Sequence, residues 1–338
     1  MKERLSNIEL LRIVAMLFVL IVHSDFVALG TPSANDCMES GIASFTRIFL
    51  ETLSYVCVNV FVLISGWFGI KPSKKGFCNF IFQCFFFLFS IYLVMVLLGR
   101  KTLSINGLAD CLMLTESNWF IKSYICLYIL APILNAFTDT ISQKIFRNTL
   151  LAFYIFQSVY GWLSHGAVFL VHGYSAMSFV GLYLLARYIR VYGSKCLNYP
   201  PHYYLVVYLA ISLSLSIFSY IFTLLGVDVV NALIYSYINP LIVLSALALL
   251  IFFSKLNFKN RIVNKIALSC FAIFLLHANP NILNASFAEF IRYIYENNNG
   301  VVVLAYIMLF LVIISIVAII IDQVRIFVWL KISRILFK

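Results

Sequence analysis

The sequence predicts an all-α, polytopic integral membrane protein with about ten transmembrane helices and both termini in the cytoplasm, organised as a single domain over residues 1–338. Three observations lead there. Hydrophobic residues make up 63% of the chain and charged residues 11%, whereas about a quarter of a soluble domain is charged. The mean hydropathy is +1.00. The apolar residues are gathered into successive runs near the length of about 20 that a bilayer crossing needs, with short polar links between them.

The first run, 8–29, is apolar apart from Glu9, Arg12, His23 and Asp25. The second, 42–70, lies between a link holding Pro32 and Asp36 and another holding Lys71, Lys74 and Lys75. Phenylalanines dominate the third, 77–98, which stops at Gly99-Arg100-Lys101. Run 119–137 carries Pro132, where a kink is expected because proline removes a helical hydrogen bond. Runs 147–163 and 174–189 flank the external link that contains HGAVFLVH. Run 203–225 follows a double proline, and 233–253 contains Pro240, a second expected kink. The last two, 266–283 and 301–330, are separated by the Asn-rich stretch around 297–300.

Charge supports an even number of crossings. With the N-terminus inside, cytoplasmic links receive Lys2, Arg4, Lys71, Lys74, Lys75, Lys144, Arg147, Arg187, Arg190, Lys195, Lys255, Lys259, Arg261, Lys265, Lys331, Arg334 and Lys338. The outside receives Asp36, Glu39, Asp110, Glu116, Asp228, Glu289 and Glu296 against Arg47, Arg100, Lys101 and Arg292. Basic residues near span ends set orientation, so this asymmetry predicts both termini inside.

The same placement excludes one reading of the +11 net charge: cations confined to links between membrane runs do not form a nucleic-acid surface. The eight cysteines form no C-x-x-C pair, so neither a zinc site nor a redox motif is indicated. Cys37 and Cys111 both fall outside, with no pairing implied. Lys2 and Arg4 ahead of an apolar run, with Ala28-Leu29-Gly30 after it, resemble a signal peptide, but Arg12 and His23 do not belong in a signal's apolar core, and the first helix is expected to stay.

Ionisable groups inside a membrane helix are costly and are kept for a reason, which directs attention to Arg12 and His23. Eleven residues advance a helix by about 16 Å in about three turns, so the two share a face. Arg12 then lies near the cytoplasmic interface and His23 toward the outer leaflet, a ruler for a long ligand with an anionic head and a reactive tail. The guanidinium offers a fork of donors for phosphate, and a neutral imidazole accepts a proton.

Arg12, ten intervening residues and His23 resemble the R-x10-H motif of the acyltransferase family 3 membrane proteins. Val58-Asn59-Val60-Phe61-Val62-Leu63-Ile64-Ser65-Gly66-Trp67-Phe68 resembles that family's second-helix segment, although many members carry an acid where Asn59 stands. Asn118-Trp119-Phe120 with Tyr124, Tyr128 and Pro132-Ile133-Leu134-Asn135 resembles the fourth-helix region, and Ser269-Cys270-Phe271-Ala272-Ile273-Phe274-Leu275-Leu276-His277 the penultimate helix. The resemblance implies an O-acyltransferase of a bacterial cytoplasmic membrane. Its donor would be acyl-coenzyme A, acetyl first among the options and succinyl an alternative, with no permanently bound cofactor. Its acceptor would be a sugar hydroxyl of a cell-surface or lipid-linked glycan. Membrane lipid and no nucleic acid would be its surroundings, and a homo-oligomer is left open.

On this reading Arg12 holds the coenzyme phosphates, and His23 either activates the sugar hydroxyl or carries the acyl group as an acyl-imidazole. Lys74 and Lys75 either join Arg12 on the phosphates or only follow the positive-inside rule. Ser65 and Gly66 either shape a pocket or let helices approach. Asn118 is a candidate for an acceptor hydroxyl, Trp119 and Tyr124 for the substrate path or an aromatic belt. His277 is a second ionisable group near the outer end of its run. Asp25 and Glu51 compete to orient His23; Asp25, two residues away, points to another face, which favours Glu51. His165 and His172 lack a third ligand, so no metal is expected. The rival class is a transporter or flippase for a lipid-linked sugar, in which such residues would line a path. Thiol release from acyl-coenzyme A separates the two.

Overall fold

The computed structural model describes residues 4–227 and 229–337; Lys2, Asp228 and Lys338 of the charge pattern lie outside them. The chain is 80% helical, with no strand among the described residues. In lipid each backbone polar group must be satisfied within the protein, and helices do this segment by segment.

The helices in order are α1 (Ser6–Val22), extended by a π-helical turn over His23–Val27, α2 (Ala34–Glu39), α3 (Gly41–Ser54), α4 (Cys57–Phe68), α5 (Lys74–Leu97), α6 (Ile105–Cys111), α7 (Trp119–Thr140) and α8 (Gln143–Phe156), itself extended to Leu163. There follow α9 (Ala176–Tyr192), α10 (Pro201–Leu224), α11 (Val229–Ile234), α12 (Pro240–Lys255), α13 (Arg261–Ala267), α14 (Cys270–His277), α15 (Pro280–Ile282), α16 (Ala288–Asn297) and α17 (Val301–Leu336).

Each of the ten expected runs contains helix, with local differences. Among the described residues six helices are long and apolar enough to cross a membrane: Ser6–Val27, Gly41–Phe68, Lys74–Leu97, Trp119–Thr140, Pro201–Leu224 and Val301–Leu336. A seventh passes only as a pair, Arg261–His277 with Pro280–Asn297, bent by 53°. The run expected at 233–253 instead starts helix at Pro240, because proline suits the first helical position and the Asn239 side chain accepts the Leu241 N–H there. So Pro240 begins a helix rather than kinking one. Pro132 sits inside α7, which continues through it. The small helix α2 is closed by a capping box between Ser33 and Asp36.

Packing is organised around α1, which touches α3, α4, α12, α13 and α14. Its N-terminal end is tied to α12: the Asn7 amide donates to the carbonyls of Phe253 at 3.0 Å and Leu256 at 2.8 Å. These carbonyls lie at the C-terminal end of α12, where the last turn leaves acceptors in need of donors; the Phe253 oxygen also takes the Leu256 N–H at 3.1 Å. Helices α4 and α9 run in close contact because Gly66 lacks a side chain; a Cβ there would come within 2.4 Å of the Tyr183 carbonyl oxygen. Much of α17 is exposed and apolar, the surface a lipid-facing helix presents.

A second polar cluster joins α5, α14 and α17. Asp322, fully buried, receives the Arg325 guanidinium at 2.7 and 2.8 Å, the Ser269 hydroxyl at 2.7 Å and the Gln83 amide at 3.2 Å. Arg325 donates onward to Asn79 at 3.1 Å.

Candidate functional site

The site is built along α1. Glu9 receives Arg12 at 3.1 Å on one oxygen and 3.2 Å on the other, and Arg4 at 3.3 Å. Two cations on one carboxylate leave this end positive. Both bonds from Arg12 use Nη1, so the opposite edge of its planar guanidinium has no partner among the described residues, and its side chain is 34% exposed. Lys74 and Lys75 stand exposed in the first turn of α5, with no bond to Arg12 among the described residues.

At the other end, His23 opens the π-helical turn, a feature that often marks functional positions because it re-aims the side chains that follow. Its Nδ1 lies 3.0 Å from Nε2 of His277, which is 0% exposed. Nδ1 of His277 is 2.6 Å from the Ile273 carbonyl oxygen. A carbonyl only accepts, so His277 Nδ1 carries a hydrogen and donates it. In the neutral ring Nε2 is then an acceptor, which places the hydrogen of the shared bond on His23 Nδ1. Nε2 of His23 is left with a free lone pair. Two neutral histidines in series thus set one tautomer and prepare a proton acceptor.

Glu51 and Asp25 do not join this pair. Asp25 is held by Arg47 Nε at 2.7 Å, and Arg47 also donates to the Gly30 carbonyl. Arg292 caps the same end of α1 through the Ala28 carbonyl at 2.7 Å. Glu51 is 1% exposed with one carboxyl oxygen unpartnered among the described residues, and it makes no hydrogen bond to His23 there. The group that orients His23 is His277, brought in by α14 from 254 residues away.

Between the two ends runs an aromatic column. Ser65 meets the Tyr124 hydroxyl at 3.1 Å. Tyr124 stacks on Phe120 with centroids 6.1 Å apart, Phe120 contacts Phe274 at 5.4 Å, and Phe274 meets the His277 ring at 6.2 Å. Trp119 is drawn inward, 4.6 Å from Tyr174 and 6.2 Å from Tyr237, into a cluster over α4 and α9. Asn118 has a left-handed backbone (φ 62°) and bonds to Ser117 at 3.3 Å. Asn59 donates to the Tyr237 carbonyl at 2.8 Å, fastening α4 to the segment before α12. The rings of His165 and His172 lie 5.2 Å apart, and no group of three or more His, Cys, Asp or Glu forms a metal cradle among the described residues.

Reasoning from sequence nominated His23 and His277 separately and missed their contact. It also missed Arg47 and the Asp322–Arg325 pair, although an acid and an arginine three apart in an apolar helix carry the same signal as Arg12.

A family model described as an acyltransferase domain matches residues 5–321. No curated protein and no solved structure matches the chain.

Proposed function

The chain belongs to acyltransferase family 3 and is a membrane acyltransferase, and from that premise we propose that it transfers an acetyl group from cytoplasmic acetyl-coenzyme A to a sugar hydroxyl of a cell-surface or lipid-linked glycan. It does so as one domain with ten crossings of a bacterial cytoplasmic membrane and both termini inside. The alternation of basic and acidic links along the chain supports that topology.

The observation that carries the reading is the His23–His277 pair at the far end of the helix that presents Arg12. Arg12, with Lys74 and Lys75 on the same side, holds the coenzyme phosphates through the free edge of its fork. The pantetheine arm follows the column of Tyr124, Phe120 and Phe274, which gives an apolar chain its solvent. At the top, Nε2 of His23 takes the proton of the sugar hydroxyl as its oxygen bonds to the thioester carbon. The carbon–sulfur bond breaks, and the thiolate leaves with the proton that His23 returns. His277 holds His23 in the tautomer that makes this cycle work.

The deciding experiment incubates the purified protein in lipid with labelled acetyl-coenzyme A. Thiol release and label transfer that both depend on an added glycan extract are the expected result. Passage of a lipid-linked sugar across vesicles with no thiol release would replace the acyltransferase reading with a flippase.

A further inference from the structure

A cavity of about 170 Å³ opens at the same end as the histidine pair, between α5, α6, the start of α7 and the turn at Asn279–Asn281. Its polar wall includes Lys101, Asn106, Asp110, Asn118, Asn279 and Asn281. It is continuous in sequence with the reactive centre: α14 ends at His277, and two residues later the buried Asn279 begins this wall. The volume is well above what a single ordered water needs and is on the scale of one sugar ring.

The lining leaves a specific set of hydrogen-bonding groups unused. The side chains of Asn106 and Asn281 have no partner among the described residues. Asn118 spends its amide on Ser117 at 3.3 Å and keeps its carbonyl oxygen. Asn279 spends its carbonyl on the Asn281 N–H at 2.9 Å and keeps its amide. One oxygen of Asp110 is taken by the hydroxyls of Thr115 and Ser117, and the other has no partner among the described residues. Each carboxamide both donates and accepts, which matches hydroxyls that do the same. Charge argues against an anionic occupant, since the lining holds a single cation, Lys101, and also an acid, Asp110. A phosphate site would gather arginine or several lysines. Leu88 and Pro280 supply apolar surface for the C–H face of a ring.

We infer that this cleft is the acceptor subsite and takes one uncharged pyranose ring of the glycan, whose free hydroxyl is turned toward His23; the inference rests on the acyltransferase reading above. Neither the Asn106 nor the Asn281 side chain bonds to another group among the described residues, so Asn106→Ala and Asn281→Ala remove no hydrogen bond of the fold.

Two measurements separate this inference from its premise. In acetyl transfer, each substitution should raise the acceptor KM by about fivefold to tenfold, the usual scale for one lost hydrogen bond, and the double variant by more, with the KM for acetyl-coenzyme A unchanged. In saturation-transfer NMR without any donor, a mixture of methyl glycosides of glucose, galactose, mannose, rhamnose and N-acetylglucosamine should give a signal with the wild-type protein that the double variant loses. Transfer by a double variant with an unchanged acceptor KM overturns the subsite and leaves the acyltransferase standing. Absence of any glycoside signal overturns it too. Glycoside binding that the double variant loses, in a protein that never releases thiol, supports the subsite and removes the acyltransferase premise.

Discussion

Two sets of ionisable side chains lie among these apolar helices, one along α1 and one between α5, α14 and α17, and they differ in what remains once their hydrogen bonds are made. Around Asp322 nothing remains: both carboxylate oxygens are engaged, and Arg325 is shared between Asp322 and Asn79. Along α1 each key group keeps a free face, the outer edge of the Arg12 guanidinium and Nε2 of His23. A closed network can only hold helices together. An open one can meet a ligand. The cost of placing ions in a low-dielectric interior applies to both, so the difference lies in whether the remaining valence points at protein or at space.

The largest effect that tests this contrast is expected at His23. His23→Ala should lower acyl transfer by about 10² to 10⁴, the range for a missing general base, while the protein still inserts, purifies as a monodisperse species and binds acetyl-coenzyme A. If binding and assembly fell with activity, the α1 set would be structural like its counterpart.

Asp322→Ala should act in the opposite way. It strands Arg325 in a buried site, and removing one partner of such a pair costs about 3 to 5 kcal/mol, to be read as a loss of thermal stability in detergent. Replacing both, as Asp322→Leu with Arg325→Met, should recover most of that stability because two well-packed apolar residues can substitute for a buried pair. A double variant as unstable as the single would mean that the network does more than clamp α17.

His277 tests the middle ground, a group that orients rather than reacts. His277→Ala should cost about tenfold to a hundredfold in kcat, the scale for partners that fix a histidine, with little change in KM. His277→Gln, whose carbonyl can accept from His23 Nδ1, should recover part of the loss. Equal losses in the two variants would mean that His277 only fills space.

The fold was legible because hydropathy reads helices where lipid forbids anything else, and each of the ten expected runs does contain helix. What hydropathy could not read is local. Pro240 moved the start of one helix because a proline first in a helix costs nothing, and the bend between α14 and α16 follows a polar turn inside an apolar stretch. The site was half legible for a related reason. A lone arginine or histidine in an apolar run stands out, so Arg12, His23 and His277 were visible. Which of them meet depends on α1 lying against α14, a contact between distant segments that no run-by-run reading contains. That is why the sequence offers only Asp25 and Glu51 as groups to orient His23 and does not link His277 to it. The Asp25 carboxylate, set apart from His23 on the periodicity of a regular helix, sits in a π-helical turn and is bonded to Arg47 on α3.

The smallest effect concerns Glu9 and sharpens the comparison at its weakest point, because Arg12 also has a protein partner. If that ion pair were a structural clamp like Asp322–Arg325, breaking it would destabilise the protein and leave donor affinity alone. Glu9, however, grips only Nη1, from a helix position one turn below, and the pair is partly exposed. Exposed pairs contribute about 0.2 to 1 kcal/mol, so Glu9→Gln should barely change thermal stability. What it should change is aim: without the carboxylate, the fork of Arg12 is no longer held toward the phosphates, and the KM for acetyl-coenzyme A should rise about twofold to fivefold. Arg12→Lys keeps the charge but loses the planar fork, and should raise the same KM by about tenfold with kcat nearly preserved. Titration of both variants against acetyl-coenzyme A checks the order. A Glu9→Gln protein that bound the donor more tightly would show that the carboxylate competes with the phosphates rather than positioning Arg12. An Arg12→Lys protein with unchanged KM would move the phosphate site away from α1 altogether, leaving that helix with chemistry only at its histidine end.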